Sequence, residues 1–337
     1  MADQAIRCKK WVLAKKMKGK PTLSHFRLEE EDVLTDLQDG EVLCEAVYIS
    51  VDPYMKPYAE RSLSEGDMMM AEQIARVLKS KNPQFPVQSL VLANVGWRTL
   101  TRVSDMTLLR QLPVMGDLPV SNALGMLGLT GLTAYYGMTN VCKPKSGDIV
   151  VVTSAGGAVG SVAGQMAKAA GCKVIGICGS DEKSRWITEE LGMDVAINYK
   201  TDDVGEKLRE TAPSGVNCFF DNVGGDLAGA VICQMSVGGR AALCGAISLY
   251  CDDIHHPSQG LSIYRAIVAR QLTVQGFNVI KWFSDWDVGY KALYSLVKEG
   301  KLRSKELIYD GFDKVPEAFL KLFQGGNVGK IVVKIQD

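Results

Sequence analysis

An α/β fold is predicted for this chain, a doubly wound parallel sheet joined to a smaller β-rich domain, and three observations lead to it. From residue 147 onward, apolar strand segments alternate with helical ones, the pattern of parallel strands with helices on both faces. One of those strands, at 149–152, runs straight into a glycine-rich turn and then a helix. The first 125 or so residues lack this alternation and read as strands and loops. At 337 residues the chain is also long for a single domain.

Taken in order, residues 41–50 mix alternating and continuous apolar positions and predict a strand, which Pro53 and Pro57 break into a loop. Strands are predicted over 87–92 and 97–103. Residues 121–137 turn to small and apolar side chains compatible with helix and carry the chain into the second domain. There follow a strand at 149–152, a helix at 159–170, a strand at 173–178, a helix at 182–191, and strands at 195–199, 218–221, 240–244 and 272–277. Residues 312–334 read as a helix, a glycine stop and a final strand.

The turn after the 149–152 strand carries the first chemical signal. Ala155, Gly157 and Gly160 fill the positions of a G-x-G-x-x-G fingerprint, with alanine at the first. Small residues there permit a tight turn, close approach of backbone N–H groups to phosphate oxygens, and close helix-to-strand packing. Val159, Val162, Ala163, Met166, Ala167 and Ala170 form an apolar stripe that faces a sheet while the helix N-terminus faces an anion. With the strand at 173–178 this makes a βαβ unit of the Rossmann type and predicts a dinucleotide site.

The residues after that second strand favour NADPH. An NAD site usually places Asp or Glu about 20 residues past the glycines, on the ribose hydroxyls. Here Cys178 stands at the strand's end, followed by Gly179 and Ser180. Lys183, with Arg185 behind it, supplies a cation for a ribose 2′-phosphate, and Ser180 and Tyr199 supply neutral donors. Two further turns, 221–225 and 244–250, each follow an apolar strand at the end where open parallel sheets bind ligands.

Bulk properties exclude other classes. Lys plus Arg equals Asp plus Glu, 38 each, so no net field draws the chain to nucleic acid or to an anionic membrane. No apolar run approaches the roughly 20 residues needed to span a bilayer. The first residues hold Asp3 and no long apolar core, so no signal peptide is expected and the expected location is cytoplasmic. Nine cysteines without paired spacing read as reduced and structural, and with His25, His255 and His256 as the only histidines no metal site is expected.

The order of these segments resembles the medium-chain dehydrogenase/reductase superfamily, with Ala155-Gly-Gly-Ala-Val-Gly160 at the nucleotide turn and Gly329-Lys-Ile-Val-Val333 near the end. Val51-Asp-Pro-Tyr-Met55, Gly131-Leu-Thr-Ala-Tyr135, Gly179-Ser-Asp-Glu-Lys183, Asn198-Tyr-Lys200, Phe220-Asp-Asn-Val-Gly-Gly225, Cys244-Gly-Ala-Ile-Ser248 and Gly326-Asn-Val-Gly-Lys330 are similar to one zinc-independent branch of it. That branch holds the prostaglandin reductases, leukotriene B4 12-hydroxydehydrogenases and plant alkenal double-bond reductases.

The resemblance implies a barrel-like (GroES-like) substrate domain over 1–126, an NADPH-binding Rossmann domain over 127–299, and a segment 300–337 returning to the first domain. It implies a homodimer joined through the nucleotide domains. It also implies NADPH-dependent reduction of the C=C bond of α,β-unsaturated aldehydes and ketones, of the 2-alkenal or 15-oxoprostaglandin 13-reductase type, with a small enone, enal or oxidised lipid as substrate. By position, Gly157, Ala158, Val159, Gly160, Lys183, Tyr199, Asn222, Cys244, Gly245, Ala246, Ile247, Ser248, Tyr250, Phe277, Asn278, Val279 and Asn327 would line the cofactor. Zinc-dependent relatives carry a Gly-His-Glu motif and a four-cysteine lobe, and this chain has neither.

Metal-free reduction needs a donor to the carbonyl oxygen, where charge builds as an enolate. Many relatives carry a tyrosine eight residues before the position of Phe277; this chain has Ala269 there. Tyr54, Tyr250 and Tyr264 are the candidate donors, beside the nicotinamide ribose hydroxyl and a backbone N–H. Two other readings stand: an NADPH quinone oxidoreductase and a non-enzymatic NADPH-binding protein. Residues 249–262 resemble the family least, and substrate choice is expected to reside there.

Overall fold

Valine- and isoleucine-rich segments pair into strands, and glycines and prolines end them, in a computed structural model that describes residues 5–252 and 263–335. The chain packs as two units. Residues up to 124 with 306–327 and 331 onward form the first, and 125–305 with 328–330 the second.

In the first unit β1 (Ala5–Leu13) and β2 (Phe26–Leu34) make an antiparallel ribbon. There follow β3 (Val42–Ser50), α1 (Met55–Ser62), β4 (Gln73–Ser80), β5 (Leu90–Ala93), β6 (Leu100–Val103) and β7 (Leu109–Gln111). β3 pairs antiparallel with β4 and β6, β4 with β5, and β5 with β7. From the far end of the chain, the strand Lys330–Lys334 pairs antiparallel with β3, and Glu306–Asp310 lies beyond it. The helix Val315–Leu322 closes the core. Its Phe319 is fully buried, edge-on to Phe26 at 6.0 Å and to Trp97 at 5.6 Å. Such pairs contribute about 0.5–1.5 kcal/mol each beyond the area they bury.

Two predicted strands start late. Gln88 takes a positive φ of 71° and Ser89 bonds back to the Pro86 carbonyl, so residues 87–89 are a turn and β5 begins at Leu90. The Trp97 N–H donates to the Met69 carbonyl and that of Thr99 to the Lys9 carbonyl, so the approach to β6 bridges other segments. The ribbon escaped the pattern because its outer face is charged, as in Lys10–Glu31 at 2.6 Å and Arg7–Asp32 at 3.2 Å.

The second unit alternates as predicted. After α2 (Leu129–Tyr136) come β8 (Ile149–Thr153), α3 (Ala158–Ala169), β9 (Lys173–Cys178), α4 (Asp181–Arg185), β10 (Val195–Asn198) and α5 (Val204–Thr211). Then follow β11 (Val216–Asp221), α6 (Gly225–Ile232), β12 (Met235–Leu243), α7 (Tyr264–Ala269), β13 (Thr273–Gly276) and α8 (Trp286–Lys298). The strands form one parallel sheet in the order β10-β9-β8-β11-β12-β13. Chain direction across the sheet reverses between β8 and β11, where open α/β sheets leave a crevice for ligands. All nine cysteines are free thiols. His255 and His256 lie outside the described residues.

His25 ties the loop between β1 and β2. The Thr22 N–H donates to its Nδ1 at 3.0 Å, which requires that nitrogen to be unprotonated. Burial lowers its pKa, and the charges of Lys15 and Lys56 lower it further. A base whose folded pKa is depressed stabilises the fold above its unfolded value, near 6.5, and loses that contribution as pH falls toward the folded one. Guanidinium unfolding midpoints are therefore expected to drop as pH falls below about 6.5, and to drop less in His25→Gln; equal slopes would assign the pH dependence elsewhere.

Candidate active site

The crevice is built around two polar residues that end otherwise apolar strands. The Thr153 hydroxyl at the end of β8 donates to Asp221 Oδ1 at the end of β11, 2.7 Å away. Asp221 also accepts from the N–H groups of Val223 at 3.0 Å and Gly224 at 3.1 Å, which shapes the 221–225 turn. Burial pushes its carboxyl above the ordinary aspartate range, while these donors favour the carboxylate. Asn222 closes the frame: its backbone N–H donates to Thr153 Oγ1 and its amide to the Thr153 carbonyl, both at 2.8 Å.

On one side lies the glycine turn. Ser154 holds a φ of 51°, and the Gly157 N–H donates to its carbonyl at 2.9 Å. α3 starts at Ala158, with Gly157 as its cap, and its first intrahelical bond runs from the Ser161 N–H to the Gly157 carbonyl. The N–H groups of Ala158, Val159 and Gly160 are thus left for an anion. A Cβ on Gly160 would stand 2.3 Å from the Ser154 carbonyl oxygen, so glycine is what lets helix and strand approach. The Gly329 N–H donates to the Gly156 carbonyl at 2.8 Å and braces the turn from outside.

The ribose end is shaped by two side chains lying on glycines. The Lys183 stem covers Gly156, where a Cβ would meet its carbons at 3.1 Å. The Tyr199 ring covers Gly179, where a Cβ would meet the ring and hydroxyl at 2.8 Å. Burial pulls the Lys183 pKa below the ordinary lysine value, with Cys178 opposing and Lys200 adding. The Ser180 hydroxyl accepts the Lys183 N–H at 3.3 Å as the cap of α4 and keeps its own proton for another acceptor. Asp181 and Glu182 are the nearby acids in sequence; Asp181 Oδ1 accepts the Asn198 amide at 2.8 Å, and the charge of Glu182 supports that of Lys183. This donor set fits a phosphorylated ribose.

The 244–250 turn hangs on the 221–225 turn. The Cys244 and Gly245 N–H groups donate to the Asp221 carbonyl, that of Ile247 to Asn222, and that of Ser248 to Val223. The Tyr250 hydroxyl lies over Gly245, 3.2 Å from where a Cβ would stand, and burial raises its pKa. Burial likewise holds the Cys244 thiol at about 12, so it is no nucleophile at neutral pH. The Phe277 N–H donates to the Leu243 carbonyl at 3.2 Å, and its ring fills the space that glycine leaves at position 137. Asn278 caps the next turn through the Ile280 N–H, and Val279 is buried.

The predicted cofactor residues of the second unit therefore gather along the carboxyl ends of β8, β9, β10, β11, β12 and β13. Asn327 and Tyr54 belong to the first unit. Tyr54 packs on that unit's core, where burial, with Asp52 and Glu72, raises its pKa and keeps the hydroxyl protonated. Tyr264 opens α7 and is 78% exposed. Of residues 249–262, those from 253 on lie outside the described residues. Sequence reasoning missed the roles of Thr153, Asp221 and Gly329; the signal was a lone polar residue closing each of two apolar strands.

Residues 9–112 match the family described as the N-terminal domain of oxidoreductase, and 158–294 the one described as zinc-binding dehydrogenase. Among the described residues no group of three or more His, Cys, Asp or Glu is placed to hold a metal ion. The chain is 47% identical to a prostaglandin reductase 1 of Bos taurus over 334 residues, 98% of this chain and 99% of the relative. It is 34% identical to the NADPH-dependent curcumin reductase of Escherichia coli (strain K12) over 351 residues, 99% of each. The solved structure of CurA in complex with NADPH from Vibrio vulnificus matches with a TM-score of 0.90 at 32% identity, covering 98% of this chain and 99% of that one.

Gly160→Ala is expected to force helix and strand apart, lowering stability by about 1–3 kcal/mol and dinucleotide affinity by about tenfold or more. Gly205→Ala, on α5, meets no atom nearer than 3.3 Å and is expected to leave both unchanged or the fold slightly firmer. Thermal unfolding and fluorescence titration of both variants check this; equal behaviour would remove the steric argument.

Proposed function

The chain belongs to the zinc-independent prostaglandin reductase branch of the medium-chain dehydrogenase/reductase superfamily, and on that premise we propose that it reduces the C=C bond of α,β-unsaturated aldehydes and ketones with NADPH. The observation that carries this reading is 47% identity along nearly the whole of both chains. The donor set around Lys183 agrees with it.

NADPH, when bound, supplies a hydride to the β-carbon of the substrate, and negative charge then develops on its carbonyl oxygen. The N–H groups of Ala158, Val159 and Gly160 would hold the pyrophosphate, with Gly157 lining it where the turn enters α3. Lys183, Ser180 and Tyr199 would hold the 2′-phosphate. Asn222, the 244–250 turn, Phe277, Asn278 and Val279 would seat the nicotinamide end, and Asn327 is kept as a cofactor residue on the resemblance alone. We take residues 1–126 as the substrate domain, 127–299 as the cofactor domain and 300–337 as the segment that returns. No metal is invoked.

Tyr54 is our first candidate to hydrogen-bond the developing oxyanion. Its hydroxyl, like any tyrosine's at neutral pH, is protonated and able to donate, and burial disfavours loss of that proton. Tyr250 shares that property beside the cofactor turns. Tyr264, exposed as it stands, is the third candidate.

We also read the protein as a cytoplasmic homodimer. β13 ends the six-stranded sheet with its backbone edge unpaired among the described strands, and Tyr264 and Val268 just before it are 78% and 77% exposed. No helix among the described residues is long and apolar enough to cross a membrane.

Lys183→Ala is expected to weaken NADPH binding by about 1.5–3 kcal/mol while sparing NADH, so the preference falls by roughly ten- to a hundredfold. Titration with both nucleotides checks this, and an unchanged ratio would relocate phosphate recognition.

Turnover with a panel of enals, enones and quinones is expected to be restricted to the first two. Tyr54→Phe is expected to lower kcat about a hundredfold with NADPH affinity intact. Full turnover in Tyr54→Phe, Tyr250→Phe and Tyr264→Phe alike would assign the donor to the ribose hydroxyl or a backbone N–H, and turnover with quinones alone would make this a quinone reductase.

A further inference from the structure

The chain's acids and bases balance overall but not locally. Residues 14–26 carry Lys15, Lys16, Lys18, Lys20 and His25 and no Asp or Glu. Lys15, Lys16, Lys18 and Lys20 form no ion pair among the described residues, and all four are exposed. Met17 between them is fully buried, so the loop is pinned at its centre while its lysines face water. Lys16 Nζ donates to the Leu63 carbonyl at 2.8 Å, which brings the exposed Arg61 at the end of α1 to the same face. Leu23 follows in a short turn and is 61% exposed.

The acids that border this face are few and mostly engaged. Glu60 pairs with Lys56 at 2.7 Å, and Asp67 accepts the Ser64 N–H at 2.7 Å. Glu65, on the turn bonded to Leu13, and Asp67, whose N–H partner is neutral, keep their charge beside the five cations. The positive field is felt inside the fold, where Lys15 and Lys56 oppose protonation of His25.

We propose that this loop is a docking surface for an anionic lipid bilayer, with Lys15, Lys16, Lys18, Lys20 and Arg61 meeting the headgroups and Leu23 entering the acyl boundary. A zero net charge does not oppose it, because at physiological salt charges act over about 8 Å and a bilayer feels only the face turned to it. The chemistry favours lipid over nucleic acid: the exposed apolar neighbour is aliphatic, and no exposed aromatic ring lies within 14–26 to stack on bases. Docking would bring the enzyme to the phase where long-chain enones collect; that benefit, unlike the docking, rests on the proposed substrate.

The full chain is to be sedimented with phosphatidylcholine vesicles with and without phosphatidylserine, at low and high salt. Binding is expected only to the anionic vesicles and is expected to fade with salt. Each lysine near such a surface contributes about fivefold, so the Lys15→Gln/Lys18→Gln/Lys20→Gln variant should bind about a hundredfold more weakly. The corresponding triple Arg variant should bind like the wild type, and both should turn over a soluble enal at the wild-type rate. Equal binding to neutral vesicles, unaltered binding of the Gln variant, equal loss in the Arg variant, or lysine-dependent binding to RNA without binding to vesicles would overturn the proposal.

Discussion

The hydrogen bond from the Thr153 hydroxyl to the Asp221 carboxylate is the constraint on which the rest of the site depends. It spans the two strands between which the sheet reverses its direction of winding, and both residues are buried. The same carboxylate shapes the 221–225 turn, and that turn's backbone suspends the 244–250 turn. A buried carboxylate left without these donors would carry an uncompensated desolvation cost of several kcal/mol. The two turns that flank the crevice are thus tied to one buried carboxyl group and its donors.

Around that frame, side chains occupy what glycine leaves empty. Lys183 and Tyr199 lie where Gly156 and Gly179 have no side chain, and Gly329 docks its backbone on the turn with φ at 72°. The Lys183 stem is packed on Gly156 before any ligand arrives, so less of its rotamer entropy is lost on binding. No acid stands at Cys178, while Asp181 and Glu182 directly precede Lys183.

Much of this was legible in the sequence. The βαβ unit declared itself because apolar period, glycine spacing and turn residues agreed at every level. Lys183 was proposed from the missing carboxylate at Cys178, a one-dimensional argument, and the structure adds that its stem lies on Gly156. The β1–β2 ribbon was not found, because cross-strand ion pairs such as Lys10–Glu31 place charges where a half-buried strand would show alternation. Asp221 stood inside a motif, but its partner Thr153 is 68 residues away and nothing local links them.

By itself the sequence determined the fold class, the nucleotide turn and the family, since each is carried by periodicities and short motifs encoded within one element or its immediate neighbours. Only the tertiary structure decided that Phe319 would finish a core begun by Phe26 and Trp97, that Gly329 would brace the nucleotide turn, and that Tyr54 would be half-buried beside two acids. The physical reason is that burial and hydrogen-bond satisfaction belong to groups distant in sequence, and a chain reveals them only once it has closed on itself.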